Sequence, residues 1–430
     1  MRVKVFAAAL VLSWATASFA QTASAPAAAP AFKLEVHGFA SGTVYAQDGY
    51  QGPGEGGIQM WNWAPYREPY NVPNQGQDRM EFGGDVRQTR FNFSVSGPTV
   101  FGGATPKGVL EIDFYNNSGG GSYGDVSITP RMRLGYAELN WGAARLQFGQ
   151  NNDLIVAMIP VSLAHIAFPV SYGSGTVGWR RPGIFGYYTF GDLKDKDATK
   201  VEVAVEVGRG QWNDAAGIGN YLILPPAGDA YGFNLSEASG VPAVEARVTA
   251  IAGQMGSFWV AGHYQRTDMN GTGNLLKVNG NSYLDTELVN AGGKVVFGPL
   301  TVSAAGYYGQ NTAPEVGAFL QFQSPGKSYD VTSYGGWVQA GFNFTKELSI
   351  WGQVGDEETN YNEAMAAGFT RLGELTYSTL LQYRDGGFAV GFEWFHFHTK
   401  TSPGPAPAGM PAANPIVDSN QFMLTGNYFF

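Results

Sequence analysis

Gln421-Phe422-Met423-Leu424-Thr425-Gly426-Asn427-Tyr428-Phe429-Phe430 closes the sequence, and its side chains fall into two phases. Phe422, Leu424, Gly426, Tyr428 and Phe430 form one. Gln421, Met423, Thr425, Asn427 and Phe429, mostly polar, form the other. A β-strand sends successive side chains to opposite faces, so this segment reads as a strand with one apolar face. The same period recurs upstream. In Val201-Glu202-Val203-Ala204-Val205-Glu206-Val207 the valines share one face and Glu202 and Glu206 the other. Residues 90–96, 244–250 and 348–354 alternate likewise.

Applied along the chain, this template predicts strands near 33–46, 87–97, 107–115, 131–140, 144–151, 175–190, 199–208 and 241–252. It continues at 257–266, 284–297, 300–311, 329–344, 348–355, 370–383, 388–399 and 417–430. About sixteen strands of roughly ten residues, half apolar and half polar, describe a transmembrane antiparallel β-barrel, which needs an even number. The connections support it. Short turns at 98–106, 141–143, 253–256, 298–299, 345–347 and 384–387 alternate with long links at 47–86, 116–130, 152–174, 209–240, 267–283, 312–328, 356–369 and 400–416. A propeller would repeat every 40–50 residues or so, and no such repeat is found.

Composition agrees with an all-β membrane protein. Glycine accounts for 60 of 430 residues, aromatics for 14% and charged residues for only 14%. No apolar run long enough for a membrane helix occurs outside the N-terminus. Cysteine is absent, so disulfides play no part. The net charge of −9 argues against nucleic acid as a partner. Arg2 and Lys4, then an apolar stretch from Val5 to Ala15 and Ser18-Phe19-Ala20, read as a signal peptide over 1–20. Residues 21–31, rich in Ala and Pro, read as a leader, and 32–430 as one barrel domain.

Arginines recur on the polar phases of the early strands: Arg90, Arg131, Arg133, Arg145 and Arg180, with Arg87, Arg181, Arg247 and Arg371 as further candidates. A charge facing lipid at mid-membrane costs ~2–4 kcal/mol, so these should face the lumen. Guanidinium binds carboxylates in bidentate fashion, so such a set would draw anions. The alternative is that Glu111, Asp113, Glu138 or Glu202 pairs with each and braces the wall. His396 and His398 share a strand face, too few ligands for a metal site. Asp356-Glu357-Glu358 with Glu363 reads as an acidic loop, solvated or binding divalent cations among lipopolysaccharide phosphates. Residues 61–66, rich in Trp, are placed for contact with solute or a neighbouring subunit. No catalytic triad, nucleotide loop or cofactor motif is evident, which leaves an outer-membrane barrel enzyme without a nucleophile.

The order of elements resembles the trimeric general porins, and in detail the DcaP-like porins. The residues that carry this are Asp85-Val86-Arg87-Gln88-Thr89-Arg90-Phe91-Asn92-Phe93, Arg131-Met132-Arg133-Leu134-Gly135-Tyr136-Ala137-Glu138-Leu139, Leu146-Gln147-Phe148-Gly149-Gln150-Asn151 and Trp179-Arg180-Arg181-Pro182. The resemblance implies a homotrimer in the outer membrane, in contact with lipid and lipopolysaccharide. It implies that Phe430 ends a signal for the barrel-assembly machinery, and that the loop after the fifth strand folds inward as a constriction. That loop, 152–174, is apolar and holds one carboxylate, Asp153. A segment that packs at the trimer interface is the alternative. The expected function is passive diffusion of small hydrophilic solutes, favouring anions such as carboxylates, past Arg90, Arg131, Arg133, Arg145, Arg180 and Asp153. A sugar-specific channel is the second reading, with Tyr45, Trp259 and Trp351 on polar phases.

Overall fold

The computed structural model describes residues 32–48, 80–116, 129–211, 235–268, 283–321, 330–402 and 416–430. The segments 1–20 and 21–31, read as signal and leader, lie outside the described residues, as does 61–66.

Seventeen strands form one antiparallel sheet. They are β1 (Lys33–Asp48), β2 (Met80–Asp85), β3 (Arg90–Ser96), β4 (Thr105–Asn116), β5 (Thr129–Asn140), β6 (Ala144–Asn152), β7 (Arg180–Phe190) and β8 (Thr199–Gly208). Then follow β9 (Ala243–Ala252), β10 (Gly256–Asp268), β11 (Tyr283–Phe297), β12 (Leu300–Gln310), β13 (Thr332–Asn343), β14 (Leu348–Thr359), β15 (Arg371–Asp385), β16 (Phe388–Thr401) and β17 (Ile416–Phe429). From β3 onward each pairs with the next, and β17 returns to β1 with Phe39 opposite Phe429 and Gln47 opposite Gln421. The other edge of β1 is shared: Thr43–Asp48 pairs with β2 and Lys33–Phe39 with β3. β2 and β3 therefore occupy one position, and sixteen positions close the barrel.

The alternation read from the sequence is the alternation of the wall. Val201, Val203, Val205 and Val207 are exposed on the outside, while Ala204 and Glu206 are buried inside. Leu424 and Tyr428 point out; Gln421, Met423, Thr425 and Asn427 point in. Leu110, Phe148, Ile184, Val260, Val289 and Val338 extend the apolar outer surface around the barrel. Such a surface is unfavourable in water and suited to lipid.

Three expectations change. β2 was expected to lie within a connection. Residues 175–179, expected to begin a strand, belong to the preceding loop, because Thr176 N bonds back to Ser171 O at 2.8 Å and β7 starts at Arg180. Asp356-Glu357-Glu358 extends β14 instead of forming a loop, with Glu357 turned inward and fully buried.

Candidate functional site

The 153–179 loop lies inside the barrel, held by wall side chains from many strands. Asp153 closes its neck: its backbone N donates to Trp179 O (3.2 Å), and its Oδ2 accepts from Trp179 N (2.6 Å). Glu245 on β9 accepts from the N–H groups of Leu154 and Ile155. Gln339 on β13 exchanges two bonds with Val161, 2.7 and 2.9 Å. Glu393 on β16 accepts from Leu163 N (2.9 Å), Ala164 N (2.6 Å) and Ser162 Oγ (2.6 Å). Gln88, in the gap between β2 and β3, accepts from Ile166 N and Ala167 N and donates to Ala164 O. Glu357 accepts from Gly175 N.

These acceptors satisfy backbone donors that would otherwise be buried unpaired, each a loss of about 1–3 kcal/mol. Apolar loop side chains complete the seat. Ile155 and Val177 pack with Trp259, Ala261, Leu288 and Tyr307. Ala164 and Val170 pack with Tyr45, Phe395, Phe397 and Met423. The loop is apolar because it is packed on the inside, against the wall and against the 311–321 connection, where Tyr172 meets Val316 and Gly178 N donates to Glu315 O.

The predicted arginines gather on the wall from β3 to β9. Arg131 holds Asp113 with two bonds, 2.9 and 2.8 Å. Arg133, beside an irregularity in the β4–β5 register, reaches both Glu111 (2.9 Å) and Asp113 (2.8 Å). Arg145 bonds Glu202 (2.9 Å), and Arg90 lies 3.7 Å from Glu111 and donates to Ile166 O. The bracing alternative thus describes these four. Arg180 differs. Among the described residues its guanidinium has no carboxylate partner, and it lies 4.1 Å over the Trp179 ring, within electrostatic reach of Arg133, Arg131 and Asp113.

Aromatic rings knit this corner together. Phe168 of the loop stacks on Trp179 at 5.3 Å and meets Tyr115 of β4 at 4.8 Å. Arg131 sits over Phe168, Trp179 and Tyr115, and Arg87, paired with Asp85, sits over Tyr115. Counting the wall from β2 to β9, Arg87, Arg90, Arg131, Arg133, Arg145, Arg180, Arg181 and Arg247 stand against Asp85, Glu111, Asp113, Glu138, Glu202, Glu206 and Glu245, and Asp153 of the loop evens the count. The balance is uneven in space: Glu206, Glu245 and Asp153 gather around Arg181, which leaves the β3 to β7 corner richer in arginine.

Asp153 is not on a solvent-lined surface. It is buried and bound to Arg181 (2.9 Å) at the loop's neck. His396 and His398 face outward, against Asn420 and Asp418. Tyr45, Trp259 and Trp351 do not form a track: Trp259 and Tyr45 are covered by the loop in separate clusters, and Trp351 packs beside Leu163.

The residues missed from sequence are the loop's acceptors, above all Glu245 and Glu393. A usable signal exists for Glu393. Its lateral neighbours are Leu380 and Met423, so an inward acid there has no wall cation and needs a partner from within the lumen.

No protein-family model matches the chain, and no curated protein matches it. Solved structures do. The outer membrane channel DcaP of Acinetobacter baumannii is 16% identical with a TM-score of 0.66, covering 93% of this chain and 97% of that one. OmpF of Salmonella typhi, solved with daunomycin, is 11% identical at 0.54, covering 92% and 97%. OmpT, an outer membrane protein of Vibrio cholerae solved in a trimer form, is 10% identical at 0.51, covering 93% and 100%. The fold is that of outer-membrane porin-like barrels, over nearly the whole chain.

Proposed function

We propose that this chain is an outer-membrane channel for passive diffusion of small hydrophilic solutes, with a preference for anions such as carboxylates. The observation that carries the anion preference is Arg180, 7% exposed beside Arg131 and Arg133 and, among the described residues, without a carboxylate partner. A carboxylate reaching the exposed edge of Arg180 makes a charge-assisted bond that no acid among the described residues already occupies. Arg90, Arg131, Arg133 and Arg145 are tied to acids, so they supply field and not binding sites. The 153–179 loop narrows the path, because it occupies lumen that a bare sixteen-stranded barrel leaves open.

Association as a trimer belongs to the same reading, supported by the trimer form of the OmpT structure. So does contact with lipid and lipopolysaccharide, for which the apolar outer face and the outward pairs Arg266–Asp285 and Lys400–Glu358 are suited. Export by 1–20 and assembly through Phe430, whose backbone pairs with Gly38, complete it. The test is a planar bilayer in a KCl gradient. A reversal potential of anion-selective sign supports the proposal, and a cation-selective one sinks the anion preference while leaving the channel.

A further inference from the structure

Six buried side chains meet where the inward loop leaves the wall. Arg181 of β7 is at the middle, with Asp153 of the loop, Glu206 of β8, Glu245 of β9, His263 of β10 and Glu315 of the 311–321 connection around it. All six are wholly shielded from solvent. Four carboxylates thus share one permanent cation. Glu206 and Glu245 are moreover directly opposite one another in the β8–β9 register, an arrangement that repels if both are charged.

The hydrogen bonds are unequally shared. Asp153 accepts from Arg181 and from Trp179 N. Glu245 accepts from Leu154 N, Ile155 N and His263 Nδ1. Glu315 Oε1 takes Arg181 Nη2. Among the described residues Glu206 accepts no hydrogen bond at either oxygen, and Arg181 Nε lies 3.5 Å from its Oε1. An ionised carboxylate buried in this way is costly unless a further positive charge reaches it.

We propose that a divalent cation, Ca2+ by its chemistry, binds Asp153, Glu206 and Glu245 and fastens the neck of the loop to β8 and β9. Ligand oxygens of these three lie within 4.8 Å of one another, so a point exists no more than about 2.8 Å from each; small side-chain movements bring it to the ~2.3–2.6 Å of a calcium–oxygen bond. The donors are all carboxylate oxygens, which selects a hard cation over zinc. His263 is outside this set of three: its Nδ1 bonds Glu245, and its Nε2 faces Glu315 at 3.4 Å, a nitrogen donor less suited to a hard cation than the carboxylates. Glu206 is the bidentate candidate, because both of its oxygens are uncommitted. The ion would separate the two opposed glutamates and hold the residue that opens the loop.

The test uses the whole chain, extracted from outer membranes in mild detergent without chelator. After gel filtration into metal-free buffer, elemental analysis should find one calcium per chain. The Glu206→Gln and Asp153→Asn variants should each retain only background calcium, while Glu358→Gln, on the outer face, keeps it. Terbium luminescence sensitised by nearby Trp and Tyr gives a second readout on folded protein, competed by calcium. Should Glu206→Gln fail to fold, the wild type decides alone: folded protein with no calcium after purification and after dialysis against calcium overturns the proposal. Undiminished calcium in folded Glu206→Gln overturns it equally, since the ion is then elsewhere.

Discussion

Gly175 of the inward loop rests directly on Gly336 of β13: a Cβ on Gly175 would stand 2.3 Å from the Gly336 nitrogen, and Gly175 itself has φ +106°. Neither contact nor backbone angle admits a side chain. Gly175→Ala should therefore lift this end of the loop while the barrel still assembles. Noisy, higher single-channel conductance with unchanged heat-modifiable migration is the expected record. Unaltered conductance would show that the loop tolerates the shift.

Glu393 receives three loop donors from residues 162–164. Glu393→Ala leaves two N–H groups buried without acceptors and should weaken the seat by about 2–6 kcal/mol, at about 1–3 for each. Glu393→Gln keeps an acceptor oxygen and should recover most of it. Protease cleavage of the loop in folded protein compares the two.

Deleting residues 163–169 removes the segment caught between Glu393 and Gln88. Conductance should rise and larger solutes should pass, with the strands intact. Unchanged conductance in a folded barrel would place the narrowest point elsewhere.

Arg180 and Arg133 should respond differently to loss. Arg180→Ala removes a cation that has no acid partner among the described residues, so block of current by a small carboxylate should disappear with less loss of stability than at a paired arginine. Arg133→Ala takes one of two arginines from both Glu111 and Asp113 and should cost stability, with a much smaller effect on carboxylate block. Titration of current with acetate or succinate, beside thermal melting, separates the outcomes.

His165, buried edge-on to Phe395 in the loop, is held down to about 4 by desolvation, against 6.5 when free. A seated loop thus binds fewer protons than a released one. Seating is strongest above pH 6.5 or so and weakens as pH falls toward 4, by up to about 3 kcal/mol. His165→Phe should abolish the imidazole's part of that loss. Open-channel noise at pH 7 and pH 5 measures it.

Alternation was legible because lipid imposes it on every strand, and β8 falls at 199–208 by either route. β2 was not, since Gly83 and Gly84 interrupt its pattern; Gly83 has no side chain because the Tyr45 ring occupies that space, 2.2 Å from where a Cβ would be. The arginines could be placed on an inward face from local pattern alone. Their partners could not be ranked, because Arg145 and Glu202 are 57 positions apart. The loop's acceptors lie further still: Glu393 is 230 positions from Leu163. What marks Glu393 is its apolar lateral neighbours Leu380 and Met423, which show that it needs a partner but not which one.

The break between β2 and β3 has a bearing on how the channel matures. Gln88 from the start of the barrel, Glu393 from near its end and Asn427 from its final strand all grip residues 163–167. Those three side chains come within reach of one another only when β17 has met β1. Contacts so distant in sequence form late. A nascent cylinder is thus wide first and narrow afterwards, and the restricted opening serves as a record that the wall has closed.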